Sequence, residues 1–182
     1  MKTLFTSHKV IYLLLILSVS LHIKATSTDN VNFRKLSVNE GLSQNTVWGM
    51  MQDANNKIWI GTTDGLNRYD GYTFTTYYHT SSDSLSIANN QIISLCTDSK
   101  GTSWFGTLVG LSRYNPVTDN FTNYLLPETP FQVLAIVDVA ENGTLFLATN
   151  IGLVSFQIAN GKFTIDPKLK HLTINTICRI ND

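Results

Sequence analysis

The sequence predicts an all-β fold assembled from repeated four-stranded antiparallel sheets, and three observations predict it. First, "DANNKIWIGTTDGLNRYD" beginning at Asp53 returns as "DSKGTSWFGTLVGLSRYN" beginning at Asp98. Asp, Trp, Gly-Thr, Gly-Leu and Arg-Tyr recur in register, and a period of about 40–45 residues marks an array of small sheets. Second, each copy holds four short runs rich in β-branched and aromatic residues, separated by Gly, Asn and Asp turns. Third, charged residues make up only 14% of the chain, against roughly 25% in ordinary soluble domains. Thr, Asn, Ser and Tyr take their place, as suits pleated faces and turns better than helix surfaces. Four short strands per repeat is the pattern of a β-propeller blade.

Residues 1–25 stand apart. Lys2, His8 and Lys9 precede an apolar run from Val10 to Leu21 and then a polar stretch, the layout of a secretory signal peptide; a membrane span needs about 20 apolar residues. Cleavage is expected after Ala25, with an uncleaved amphiphilic anchor as the alternative, and residues 26–32 read as a short linker. The 13 basic and 13 acidic side chains of the whole chain balance. Without Lys2, Lys9 and Lys24 the remainder carries a net charge of −3, which leaves no basic patch for nucleic acid or anionic lipid.

The elements then follow in order through a partial propeller over 33–182. Phe33 to Leu36 reads as a lead outer strand of the kind that completes the last blade of a closed ring. Blade 1 occupies about 46–78, with strands Val47 to Gln52, Ile58 to Thr62, Leu66 to Asp70 and Phe74 to Tyr78. Blade 2 occupies about 91–124, with strands Ile92 to Thr97, Thr102 to Thr107, Leu111 to Tyr114 and Phe121 to Tyr124. A weaker third copy fills about 131–165: Phe146 stands for Trp104, Ala148 for Gly106, Gly152 for Gly110 and Phe156 for Tyr114, while Ala140 replaces the turn Asp and Ser155 replaces Arg113. The run "NTICRIND" from Asn175 repeats the start of a unit, so 174–182 is expected to begin a fourth blade. Closed propellers use about 4–8 blades, so the chain is expected to be the N-terminal piece of a longer protein.

Each repeated residue has a structural reason. Asn56, Gly101 and Gly143 align at the tip of the first hairpin, and Gly65, Gly110 and Gly152 at the second turn, where a positive φ is needed. Trp59 and Gly61 share a face of one strand, as do Trp104 and Gly106, and the small residue is expected to make room for a large ring of the neighbouring blade. Asp53 and Asp98 are expected to bond N–H groups of their own turns. Arg68, Tyr69, Arg113 and Tyr114 recur at one blade position and so read as blade-to-blade or strand-to-loop hydrogen bonds rather than ligand contacts. Cys96 and Cys178 sit in strands of different units and read as small buried hydrophobes.

The unit "WIGTTDGLNRYD", together with the "GLSQNTV" segment from Gly41 to Val47, resembles the two-component regulator propeller repeat. The resemblance covers about 31–182 and implies the sensor region of a hybrid two-component histidine kinase on the periplasmic side of the inner membrane, anchored by a span further along. It implies an oligosaccharide ligand, control of glycan-utilisation genes by phosphorelay, contact with the remaining blades of the full-length chain, and a homodimer of the whole sensor. It implies no cofactor, no metal and no catalytic residue in this segment.

Function on such a scaffold is expected in unrepeated loops, here 37–46, 79–91 and 125–132. Trp48 at that rim could stack on a sugar face or pack against a neighbouring strand, and Asn45 and Asn90, at equivalent loop ends, could bond a sugar or cap a turn. A calcium-loop pattern beginning Asp53-Ala-Asn55 fails at Lys57 and Ile58. A stand-alone or differently wired interaction propeller is the second reading. A third is a polysaccharide hydrolase or lyase, which needs paired carboxylates; the chain offers only Glu40, Glu128 and Glu141 as Glu, with most Asp at turns.

Overall fold

The computed structural model describes residues 32–126, 129–139 and 143–180. The signal peptide expected over 1–25, the linker up to residue 31, and Glu128, Ala140, Glu141 and Asp182 lie outside the described residues. The chain divides into Met1–Lys35 and Leu36–Asp182. Residues 32–35 of the first unit form no strand, and every sheet belongs to the second.

Three four-stranded antiparallel sheets follow one another along the chain, each with its strands side by side in sequence order. Blade 1 holds β1 (Val47–Gln52), β2 (Ile58–Thr62), β3 (Leu66–Tyr69) and β4 (Phe74–Tyr77). Blade 2 holds β5 (Ile92–Thr97), β6 (Ser103–Thr107), β7 (Leu111–Asn115) and β8 (Asn120–Tyr124). Blade 3 holds β9 (Val133–Asp138), β10 (Thr144–Thr149), β11 (Gly152–Gln157) and β12 (Lys162–Ile165). The first strands lie next to one another, β1 beside β5 and β5 beside β9, so the blades stack around a common inner edge. The register of β1, β5 and β9 shifts near the start of each strand, between Val47 and Gly49 and between Ile92 and Ser94 in the first two. Such a bulge adds local twist.

The hairpin tips adopt the backbone that their sequence demands. Asn56, Gly101 and Gly143 have φ of 61°, 80° and 58°, and Gly65, Gly110 and Gly152 have φ of 107°, 150° and 128°.

Each seam between blades has its own apolar core. Trp59, fully buried, meets Phe105 and Tyr114 of the next blade at ring-centroid distances of 5.0 and 4.8 Å. Trp104, also fully buried, meets Phe156 at 5.6 Å. Truncating a buried tryptophan of this kind costs about 3–5 kcal/mol.

The small residue two positions on serves a different neighbour from the ring that the sequence led us to expect. A Cβ on Gly61 would lie 2.9 Å from Ile92 Cγ2 and 3.0 Å from the Ile92 carbonyl oxygen. One on Gly106 would lie 2.6 Å from the Val133 carbonyl oxygen and 2.1 Å from Ser94 Oγ. The notch admits the backbone and β-branched side chain that open the next blade's inner strand, because that strand, and not a ring, crosses the glycine.

Phe33–Leu36 and residues 174–180 form no strand and stand outside the three sheets; the second segment meets blade 3 where the Ile174 N–H bonds the Thr149 carbonyl at 2.9 Å. One further expectation is corrected: Cys178 is exposed in that segment, whereas Cys96 is partly buried beside the second core. Among the described residues no helix is long and apolar enough to cross a membrane.

Candidate functional site

Two repeated devices hold each blade rigid. In the first, Asp53 accepts the N–H groups of Asn55 (2.8 Å) and Lys57 (2.9 Å) on one oxygen and the indole N–H of Trp59 (2.8 Å) on the other. Asp98 does the same for Lys100 (2.9 Å), Thr102 (2.8 Å) and Trp104 (2.8 Å). The turn carboxylate therefore caps its hairpin and anchors the core tryptophan at once. The turn bonds were expected; the indole bond was missed, although Asp and Trp recur at a fixed spacing.

The second device was missed as well. Thr62, Thr107 and Thr149 are fully buried. Their hydroxyls donate to the carbonyls of Gly65 (2.8 Å), Gly110 (3.0 Å) and Gly152 (2.6 Å). They accept from the N–H of Asp64 (3.1 Å), Val109 (3.2 Å) and Ile151 (3.2 Å). The Gly-Thr recurrence thus owes its threonine to the turn and its glycine to the seam.

At the first seam the repeated arginine is a bridge between blades. Arg68 donates to Asp119, at 3.0 Å, and to the hydroxyl of Tyr114, with its guanidinium 5.4 Å from the centre of the Tyr77 ring and 5.6 Å from that of Trp59. The hydroxyls of Tyr77 and Tyr114 both donate to the same Asp119 oxygen at 2.6 Å. Burial, reinforced by those bonds to Asp119, pushes both phenols up, so they remain donors at neutral pH. Desolvation works against the Asp119 charge, but the two phenols and Arg68 outweigh it and hold the carboxyl below its usual range.

Arg113 departs from the expectation of a blade-to-blade bond. Its side chain makes no hydrogen bond or ion pair with the described residues, because the paired registers put Phe156 where the second blade has Tyr114, and Gly161 where it has Asp119. Tyr69 bonds within its own blade, donating to the Gly71 carbonyl at 2.7 Å.

The three rim residues are placed as follows. The side-chain oxygen of Asn45 accepts the Val38 N–H at 3.1 Å. That of Asn90 accepts the His79 N–H at 2.7 Å, and its amide donates to Asp64 at 3.0 Å. Both asparagines thus close their own connections. Trp48 is 58% exposed and Met50 67%. They lie two apart on β1 and so on one face, opposite Gly49, whose face meets Leu95 of blade 2. On the corresponding face of the next two blades, Leu95 and Ile136 pack back against the preceding core. The exposed Trp48 therefore sits on the flank of blade 1 opposite the one that meets blade 2.

The unrepeated connections run along the outer strands. Phe121 N–H bonds the Leu85 carbonyl at 2.9 Å and the Asn123 amide bonds the Ser86 carbonyl at 2.8 Å. Ahead of blade 1, Ser43 exchanges bonds with the buried Asn67 at 2.9 and 2.7 Å.

Comparison with known proteins matches this geometry to relatives. The two component regulator propeller family matches residues 41–64. Histidine kinase P4 of Formosa agariphila is 39% identical over 70 residues, 38% of this chain and 5% of that protein. Among solved structures, the extracellular domain of a hybrid two component system from B. thetaiotaomicron is 35% identical, with a TM-score of 0.66 over 74% of this chain and 20% of that one. A second such domain from the same organism is 21% identical, with a TM-score of 0.62 over 76% of this chain and 20% of that one, a likeness of fold. The chain therefore spans a small part of the length of these relatives.

Proposed function

We propose that this chain, whose residues 41–64 match the two component regulator propeller family, is the periplasmic sensing segment of a membrane-bound two-component sensor histidine kinase. Its ligand is an oligosaccharide, and its output is control of glycan-utilisation genes through phosphorelay, with the whole sensor working as a homodimer. The observation that carries this reading is the 35% identity, held across 74% of the chain, to the extracellular domain of a hybrid two component system. The blade devices support it: with Asp, Trp and Thr of each repeat engaged inside the blade, ligand contact falls to residues that do not recur.

The test uses the whole sensor in membrane vesicles, with a panel of plant, algal and host-derived oligosaccharides added on the sensing side. One saccharide class should change the rate of autophosphorylation and bind the isolated sensor region in the same concentration range. A sensor region that binds none of the panel, with a phosphorylation rate no saccharide alters, refutes the oligosaccharide reading. Sedimentation of the whole sensor as a monomer refutes the homodimer.

A further inference from the structure

At the seam of the first two blades, on the face carrying the β1–β2 and β5–β6 turns, lie two depressions of about 320 and 210 Å³. They share the walls Asp53, Asn55, Tyr114 and Pro116; Lys57 and Arg68 line the larger, Lys100 the smaller. The two lysines are not part of the repeat. Lys57 stands where the second turn has Thr102, and Lys100 where the first has Asn55. Blade construction therefore does not explain them, yet from different positions on two turns they reach one groove. Neither side-chain ammonium makes a hydrogen bond or ion pair with the described residues.

The groove's carboxylates are already engaged. Asp53 serves its turn and Trp59, and Asp70 accepts the N–H groups of Tyr72 and Thr73 at 2.9 and 2.8 Å. Those turn bonds, helped by Lys57, hold Asp70 below the usual carboxylate range. Arg68 is already paired with Asp119, so Lys57 and Lys100 are the groove's cations whose ammonium groups no carboxylate of the described residues holds in an ion pair. The remaining walls are Asn55, Tyr114, whose hydroxyl is held between Arg68 and Asp119, and the apolar Pro116, a mixture of polar and apolar surface that suits a ring bearing hydroxyls.

We infer that this groove binds an acidic sugar unit, a hydroxylated ring carrying a single carboxylate, with Lys57 and Lys100 supplying the attraction for its charge. The inference rests on the reading of the chain as a saccharide sensor and names the substrate class and the place.

Calorimetric titration of the full chain with D-glucuronate tests it, with D-glucose and inorganic sulfate as parallel arms. Glucuronate should saturate one site, glucose should bind at least tenfold more weakly, and sulfate should compete only at much higher concentration. The double variant Lys57→Gln/Lys100→Gln should weaken glucuronate about tenfold, in keeping with the loss of two partly exposed ion contacts, while its urea midpoint stays at the wild-type value. No saturable glucuronate binding, or binding that the double variant leaves unchanged, overturns the inference. Sulfate binding as tightly as glucuronate also overturns it, since the site would then read charge without the ring. If oligosaccharides alter phosphorylation while glucuronate does not bind, this inference fails and the sensor reading stands. Glucuronate in the groove with phosphorylation indifferent to every saccharide is the converse.

Discussion

Replacing Asp98 with alanine removes three hydrogen bonds in one step, two from the turn amides of Lys100 and Thr102 and one from the indole of Trp104. Trp104 is fully buried and Asp98 only 6% exposed, so the indole N–H has no water to turn to and is left unsatisfied, at about 1–3 kcal/mol. The two amides lie in a surface turn that water can reach, and losing each costs roughly 0.5–1 kcal/mol. The sum is about 2–5 kcal/mol, a large share of the roughly 5–15 kcal/mol that holds an ordinary domain together. The same change at the half-buried Asp53 should cost less. Urea unfolding followed by circular dichroism measures both, and a double-mutant cycle of Asp98→Ala with Trp104→Phe isolates the indole bond. The cycle should return a coupling of about 1.5–3 kcal/mol, as expected for a bond to a charged acceptor. Additive effects, or an Asp98→Ala loss under about 1 kcal/mol, would refute the claim that the turn aspartate anchors the tryptophan.

Three further outcomes are expected. Gly106→Ala places a methyl 2.6 Å from the Val133 carbonyl oxygen and should cost about 1–3 kcal/mol of overpacking in urea unfolding; a midpoint equal to wild type would show that the seam yields instead. Asp119→Asn should destabilise by less than about 1 kcal/mol, because the Asp119 side chain is 54% exposed and solvent screens its charge. Because the folded-state carboxyl lies below its unfolded value of 3.8, the Asp119 contribution is present above that value and is lost as pH falls through the lower, folded-state one. Wild type and variant should therefore differ at pH 7 and converge as the carboxyl protonates, so a difference that persists in strong acid counts against the charge. Finally, burial, with the nearby carboxylates of Asp138 and Asp98, pushes the Cys96 thiol up to about 11, so a thiol reagent at mildly alkaline pH should label the exposed Cys178 and spare Cys96 until the chain unfolds. Equal labelling of both in the folded chain, read by mass spectrometry, would place Cys96 outside the core.

The strands were legible because they need only local information. The short buried runs Ile58–Thr62 and Ser103–Thr107 and the Asn or Gly at each tip are specified within a few residues, and the repeat states them twice. The engaged turn aspartates were legible for the same reason. What crosses a seam was not. Which residue fills the notch at Gly61 depends on how the next blade is stacked, and Ile92 enters it through a relation that no pattern inside one blade records. Asp119 is further removed still: it occurs once, in the β7–β8 turn, and gains its role only because blade 2 brings it to Arg68, 51 residues away in the chain.

Recurrence therefore guarantees a position and not a partner. Arg68 and Arg113 occupy the same place in successive blades and face Trp59 and Trp104 across their hairpins, yet the first side chain is held by a carboxylate and two phenols and the second has no partner among the described residues. The difference lies wholly in the following blade, which offers Tyr114 and Asp119 in one case and Phe156 and Gly161 in the other. A repeat that keeps its apolar seam residues can thus shed the polar ones without losing the stack, since the buried rings supply most of the adhesion and an exposed ion pair adds little. The same freedom lets Lys57 and Lys100 appear on turns whose geometry Asp53, Asn56, Asp98 and Gly101 already fix. On a scaffold of this kind binding specificity can change one turn at a time, and the residues to follow are those in which neighbouring copies disagree.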